Sequence, residues 1–295
     1  MNRRVQAVVA WGSRLGLEYT RTRASLAAGG LAYFVALSLA PAALAFGTLA
    51  GLVLDPADVR EALERIAERA PGTVENVQPM IDALVATIEG ASATAFTVTT
   101  LVSVVIAIYA SSKVVLGVRM AMNTVFGVEE TRSGLIERGI ATVITLIGLI
   151  AAVGLVILLT LLPRVLEWLG LSRVPLTTGN WVIDWLIAFV LVFLVVRWVL
   201  HHAPNQSRRV AWTSRGAWAG TAGIAAATIG VGIYTRFSTS LSAAVLVFGT
   251  AVVILLWLYL CFVALMWGAI IEADDQRAAE AVRTRTSAAD LPPVP

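Results

Sequence analysis

Six stretches of this chain, near Leu26–Val53, Thr94–Lys113, Gly139–Leu162, Trp181–Leu200, Gly216–Tyr234 and Ala244–Ile271, are almost free of charge. Each is about 20 residues long or longer, enough for a helix rising about 1.5 Å per residue to cross a hydrocarbon layer about 30 Å thick. Inside such a layer there is no water to pair with backbone N–H and C=O groups, so each run must satisfy its own backbone as a helix. The fold class follows: an all-α, polytopic membrane helix bundle with six transmembrane helices. Composition agrees, with 58% hydrophobic and 14% charged residues against about 25% charged in soluble domains. The first run is too long for the apolar region of a cleaved signal peptide and is expected to remain as a signal anchor.

Orientation is read from the basic residues that flank the spans, because positive loops stay on the cytoplasmic side. With the N-terminus inside, sixteen of the 22 Lys and Arg residues fall on the inner side and six on the outer side. Both termini are therefore expected in the cytoplasm, with the protein in a bacterial cytoplasmic (inner) membrane. The basic isoelectric point near 9.4 is then a topology signal, and no nucleic-acid partner is expected.

Three segments lie outside the 25–272 membrane domain or between its spans. Residues 1–24 form an amphipathic arm: Val5, Val8, Val9, Trp11, Leu15 and Tyr19 share one helical arc, with Arg3, Arg14 and Glu18 opposite, the pattern of an interfacial helix lying on the inner leaflet. Residues 55–92 read as an extracytoplasmic helical cap. Asp55 is a suitable N-cap with Pro56 after it, Val59, Leu63, Ile66 and Ala70 recur at helical spacing, and Pro71-Gly72 ends the first helix. A second cap helix carries Val77, Ile81, Leu84, Val85 and Ile88 on one side. Residues 273–295 read as a solvated, disordered cytoplasmic tail.

The parts an enzyme needs are missing. Cys261 is the one cysteine, and the only histidines, His201 and His202, are adjacent, so their rings point about 100° apart on a helix and do not form a zinc-binding i, i+4 pair. No phosphate-binding loop, nucleophile elbow or complete dinucleotide fingerprint occurs. Neither catalysis, nor a resident metal, nor a cofactor is expected.

The spans carry other features. Gly216 with Gly220, and Ala219 with Gly223 and Ala227, keep the small-xxx-small spacing that lets helices approach closely. That seam serves either the bundle centre or a homo-oligomer. Tyr33, Ser38 and Pro41 sit in the first span, where proline frees a backbone carbonyl one turn back; with Gly220 and Gly223 they are candidate gating or structural positions.

Lys113, the only lysine, falls about 20 residues into the second span and so near its cytoplasmic boundary, where its ammonium can snorkel to the headgroups. The helix is predicted to continue to about Gly127. Val114, Val118, Met122 and Val125 share one arc of this extension, and Ser112, Arg119 and Asn123 another. Arg197 lies about 24 Å into the fourth span from Trp181, close to the level of Lys113. Lys113, Arg119 and Arg197 are thus candidate ligands for a phosphate or carboxylate headgroup at the inner leaflet, the alternative being three separate snorkelling residues.

The segments "RASLAAGGLAYFVALSLAP" (Arg23–Pro41), "FGVEETR" (Phe126–Arg132), "APN" (Ala203–Asn205) and "LLWLYL" (Leu255–Leu260) resemble, in order and spacing, the YihY/BrkB family of bacterial inner-membrane proteins. The resemblance implies six helices, an unsettled biochemical activity, and a cytoplasmic motif comprising Glu129, Glu130, Arg132 and Asn205. The chain departs from the family at Gly268-Ala269-Ile270, where an acid usually occupies the third place; Glu272 is the nearest substitute. The expected function is a transporter or flippase/exporter of an amphiphilic, anionic envelope substrate, with membrane lipids as partners. The alternative is a membrane scaffold whose outer cap binds an envelope partner, and a ribonuclease ranks well below both.

Overall fold

The computed structural model describes residues 3–51, 98–128, 181–205, 211–212, 214–237 and 243–289, together with single helical positions between 57 and 86 and at Gly139 and Val143. The expected span Gly139–Leu162 and the residues Glu129, Glu130 and Arg132 otherwise lie outside the described residues. These residues form six helices and no strand: α1 (Arg3–Arg21), α2 (Ala24–Gly51), α3 (Val98–Phe126), α4 (Trp181–His202), α5 (Arg215–Phe237) and α6 (Ala243–Ala289). Two of them are long and apolar enough to cross a membrane, and three if the bent pair Val9–Arg21 and Ala24–Leu39 counts as one span.

The 54° bend between α1 and α2 has a local cause. Arg23 adopts a positive φ of 50°, and its N–H bonds back to the Thr20 carbonyl at 3.1 Å, the left-handed cap that closes a helix and turns the chain. By contrast, α2 runs through Pro41 as one helix. Ser38, one turn before the proline, is buried and its hydroxyl donates to the Val35 carbonyl at 2.7 Å. Tyr33 is exposed on the outer face of α2, its ring edge-on to Phe34.

The predicted extension of the second span is observed. α3 continues past Lys113 without a break and ends at Gly127, whose φ is 67°. The Gly127 N–H reaches the Thr124 carbonyl at 3.3 Å and the Val128 N–H the Asn123 carbonyl at 2.9 Å, the paired bonds of a glycine-capped helix end.

α6 is the organising element and packs against α1, α2, α3 and α5, while α4 leans on α5. Among the described helices, its contact with α5 is the most extensive. A Cβ on Gly216 would lie 2.3 Å from the Gly268 carbonyl oxygen, and one on Gly223 2.7 Å from the Ala264 Cβ. The small face of α5 is therefore occupied by α6 of the same chain, with Gly220 also near Val196 of α4.

One expectation is corrected and another extended. α6 is 47 residues long, about 70 Å at helical rise, so residues 273–289 are helix where the sequence suggests a disordered tail. Alanine and arginine, nine of those 17 residues, favour a helix. α1 also does more than lie on a leaflet: Leu15 is buried, Trp11 and Tyr19 are partly buried in the same core cluster, and Val5 and Val9 are exposed. The predicted apolar arc splits because its aromatic half finds partners on α6.

Within residues 55–92, expected as a cap, the described positions show two segments held together. Arg60 bonds Asp82 at 2.7 Å, and Leu63 packs on buried Ile81 and Val85, three members of the predicted apolar stripes.

Candidate functional site

Seven- and four-residue steps place Ser112, Arg119 and Asn123 on one face of α3, and all three are turned inward, with 9%, 7% and 5% exposure. The adjacent arc is inward as well: Met122 and Val125 are buried and Val114 and Val118 pack against them. Ser112 satisfies itself on the Tyr109 carbonyl at 2.8 Å. Asn123 accepts the backbone N–H of Asn205 at 2.8 Å, which ties the turn after α4 to the end of α3. A buried arginine flanked by two buried polar residues is costly in an apolar helix bundle.

The other two predicted cations sit differently. Lys113 is half-buried, its ammonium 5.2 Å from the Tyr109 ring centre. Arg197 is half-buried with its guanidinium 3.8 Å from the ring centre of Trp212, a cation–π stack. Arg119 and Arg197 border one core cluster, since Met122 of α3 and Val196 and Leu200 of α4 belong to it. Lys113 lies about 9 Å up the axis of α3 from Arg119. Gly220 and Gly223 serve helix contact, as described above, and Tyr33 faces outward.

A second polar cluster forms around Glu272, which the sequence offers only as a substitute for the acid that the family resemblance implies. Ser214 caps α5: its hydroxyl accepts the Ala217 N–H at 3.0 Å, the usual N-cap bond, and donates to the Glu272 carboxylate at 2.5 Å. Glu272 is buried, at 6% exposure, and its other oxygen accepts from Gln276 at 3.2 Å. The carboxylate thus sits at the positive end of α5. The approach depends on Gly216, where a Cβ would stand 2.6 Å from that of Glu272.

Next to it, α1 is fastened to α6 by a row of contacts. Arg277 donates to Glu18 at 2.6 Å and to the Val125 carbonyl at 2.8 Å. Trp11 donates to Asp274 at 3.1 Å, and Tyr19 stacks on Trp267 with ring centres 4.9 Å apart. Arg215 bonds Asp275 at 3.2 Å and lies 5.7 Å from the Trp11 ring centre. The run of acids just after an apolar span was the available signal, but only the partner helix shows that it is docked. Among the described residues, no three His, Cys, Asp or Glu side chains gather to hold a metal ion.

Two of the four sequence segments singled out above meet directly, and a third reaches the helix turn before the remaining one. Ser25, in the first, shares a 2.8 Å hydrogen bond with Tyr259, in the last; Asn205 of the third meets Asn123, three residues before the second. A family model described as Virulence factor BrkB matches residues 16–291. The chain belongs to the BrkB virulence-factor family. No curated protein and no solved structure matches it. In this BrkB chain Ile270, where the resemblance implies an acid, is buried at 1% exposure among apolar groups, while the buried carboxylate two residues on is that of Glu272. BrkB proteins form a membrane family, and the exposed apolar faces of α2 and α3, with Leu26, Leu37, Val105 and Ile106, suit lipid contact.

Proposed function

We propose that this BrkB-family chain is a six-span protein of the bacterial inner membrane, with both termini in the cytoplasm, that moves an anionic amphiphile of the envelope across the bilayer. The observation that carries the reading is Arg119, buried on the polar face of α3 between Ser112 and Asn123. A cation kept inside an apolar bundle offers a binding place for an anionic headgroup in transit. Arg197, bordering the same core cluster, and Lys113 at the membrane boundary are the further cations of the path. The docked α1 closes the cytoplasmic side in this arrangement.

The test is flux in liposomes containing the purified protein, using phosphatidylglycerol with a fluorescent headgroup that a membrane-impermeant reductant bleaches only in the outer leaflet. Bleaching beyond the outer-leaflet half, reduced in Arg119→Gln, is the expected result. Bleaching that stops at half, together with a co-purifying partner lost on deletion of residues 55–92, would establish the scaffold instead. Orientation is checked separately: with Cys261 replaced, a cysteine placed in residues 55–92 is labelled by an impermeant maleimide on intact cells.

A further inference from the structure

At the elbow between α1 and α2 lies an open groove of about 490 Å³, within the roughly 300–1,000 Å³ of ordinary ligand sites. Tyr19, Thr20, Arg23 and Ser25 line it from the elbow, and Leu26, Gly29 and Gly30 from the first turns of α2. The site is independent of the Arg119 face and of any transport activity.

Three observations fix what fits it. First, Arg23 is exposed, and among the described residues its side chain has no ion pair, whereas Arg21 faces Glu18 at 3.6 Å and Arg277 holds the same carboxylate at 2.6 Å. The left-handed backbone of Arg23 carries this cation at the point where the polar helix stops and the apolar one begins. Second, a Cβ built on Gly29 or Gly30 meets nothing within 4 Å, so the glycines leave a trough along α2 about 10 Å from the charge. Third, the trough continues into an exposed apolar face at helical spacing, Leu26, Gly30, Tyr33 and Leu37. A ligand that matches this order has an anionic head at the level of the elbow and an apolar tail running along the span.

We infer that the α1–α2 elbow is a binding site for an anionic phospholipid, its phosphate on Arg23 and an acyl chain over Gly29 and Gly30. A soluble anion would use the charge and leave the trough empty. A zwitterionic lipid would bring the same phosphate with a cationic group beside it, which cancels the charge that Arg23 matches.

The experiment is retention of dioleoyl-phosphatidylglycerol by the full-length protein in detergent, read as the ratio of lipid-bound to lipid-free species by native mass spectrometry. Dioleoyl-phosphatidylcholine and inorganic phosphate at equal concentration are the comparisons. Loss of one interfacial arginine lowers binding about fivefold, so Arg23→Gln and Arg23→Gly should each show that drop while Arg23→Lys retains the lipid. Arg23→Gly also serves as the folding control, because glycine takes a positive φ without cost and its melting temperature should not fall. Gly30→Leu fills open space and should reduce retention with the melting temperature kept. Wild-type retention in either the Arg23 variants or Gly30→Leu, equal retention of phosphatidylcholine, or displacement by inorganic phosphate would each overturn the site.

Discussion

Arg277 reaches Glu18 at 2.6 Å across 259 positions of sequence, so the last third of α6 is fastened to the helix that opens the chain. The same guanidinium takes the Val125 carbonyl, one of the C-terminal carbonyls of α3 that have no partner within the helix. One side chain therefore joins three elements.

From this follows an ordering of variants. Glu18→Gln removes a partly exposed ion pair, about 0.2–1 kcal/mol. Arg277→Gln loses the same pair and the bond to Val125, a charged hydrogen bond adding about 1.5–3 kcal/mol. The double variant should match Arg277→Gln closely. Thermal unfolding of the four proteins in detergent checks the order, and equal losses in the two single variants would show that the Val125 bond contributes nothing.

The α5–α6 contact allows a sharper comparison. Gly216→Ala places a Cβ 2.3 Å from the Gly268 oxygen, against backbone that cannot step aside, and should destabilise by about 1–3 kcal/mol or more. Gly230→Ala, on the same helix, meets nothing within 4 Å and should stabilise by about 0.5–1 kcal/mol through helix propensity. Melting temperatures moving the same way in both variants would refute the assignment of the Gly216 face to α6.

Much of this was legible in the sequence, for identifiable reasons. The ends of α4 and α5 and the Gly127 stop of α3 follow from apolar length and glycine caps, which are local properties. That Ser112, Arg119 and Asn123 share one arc follows from helical spacing; that this arc turns inward beside the apolar one does not, because spacing does not say what a face packs against. The docking of α1 and the helical run to Ala289 were not legible, because Glu18, Asp274, Asp275 and Arg277 look like any solvated charges until the partner element is beside them. Pro41 signals a bend in sequence, yet the observed 54° bend belongs to Thr22-Arg23, where a non-glycine residue takes a positive φ that sequence does not announce.

Ser214 links a helix cap to a buried carboxylate, and its loss should exceed that of an ordinary cap. Ser214→Ala removes the bond to the Ala217 N–H, about 0.5–2 kcal/mol, and leaves one oxygen of buried Glu272 with one donor fewer, a further 1–3 kcal/mol or about that. Ser214→Ala combined with Glu272→Leu should recover part of the loss, since removing both partners of a buried polar pair is less harmful than removing one. Unfolding measurements on the single and double variants test this, and a double variant less stable than Ser214→Ala would contradict it. Restoring the usual family acid by Ile270→Glu should also destabilise, because that side chain lies at 1% exposure in the apolar cluster.

The stack of Arg197 on Trp212, 3.8 Å between guanidinium and ring centre, separates a positioning role from a purely structural one. A planar cation held by an aromatic face gains about 0.5–2 kcal/mol and keeps its donors directed outward from the ring, a geometry that lysine does not reproduce. If Arg197 meets the anionic headgroup, Arg197→Gln should abolish flux with membrane abundance unchanged. Arg197→Lys should then retain a reduced rate, and Trp212→Leu should lower affinity for the lipid more than the maximal rate. If the stack only braces the junction between α4 and α5, Arg197→Gln and Trp212→Leu should lower abundance and melting temperature alike, and the protein that remains should carry lipid at the wild-type rate. Flux normalised to the amount of folded protein distinguishes the two, and a wild-type normalised rate in Arg197→Gln would remove Arg197 from the proposed path.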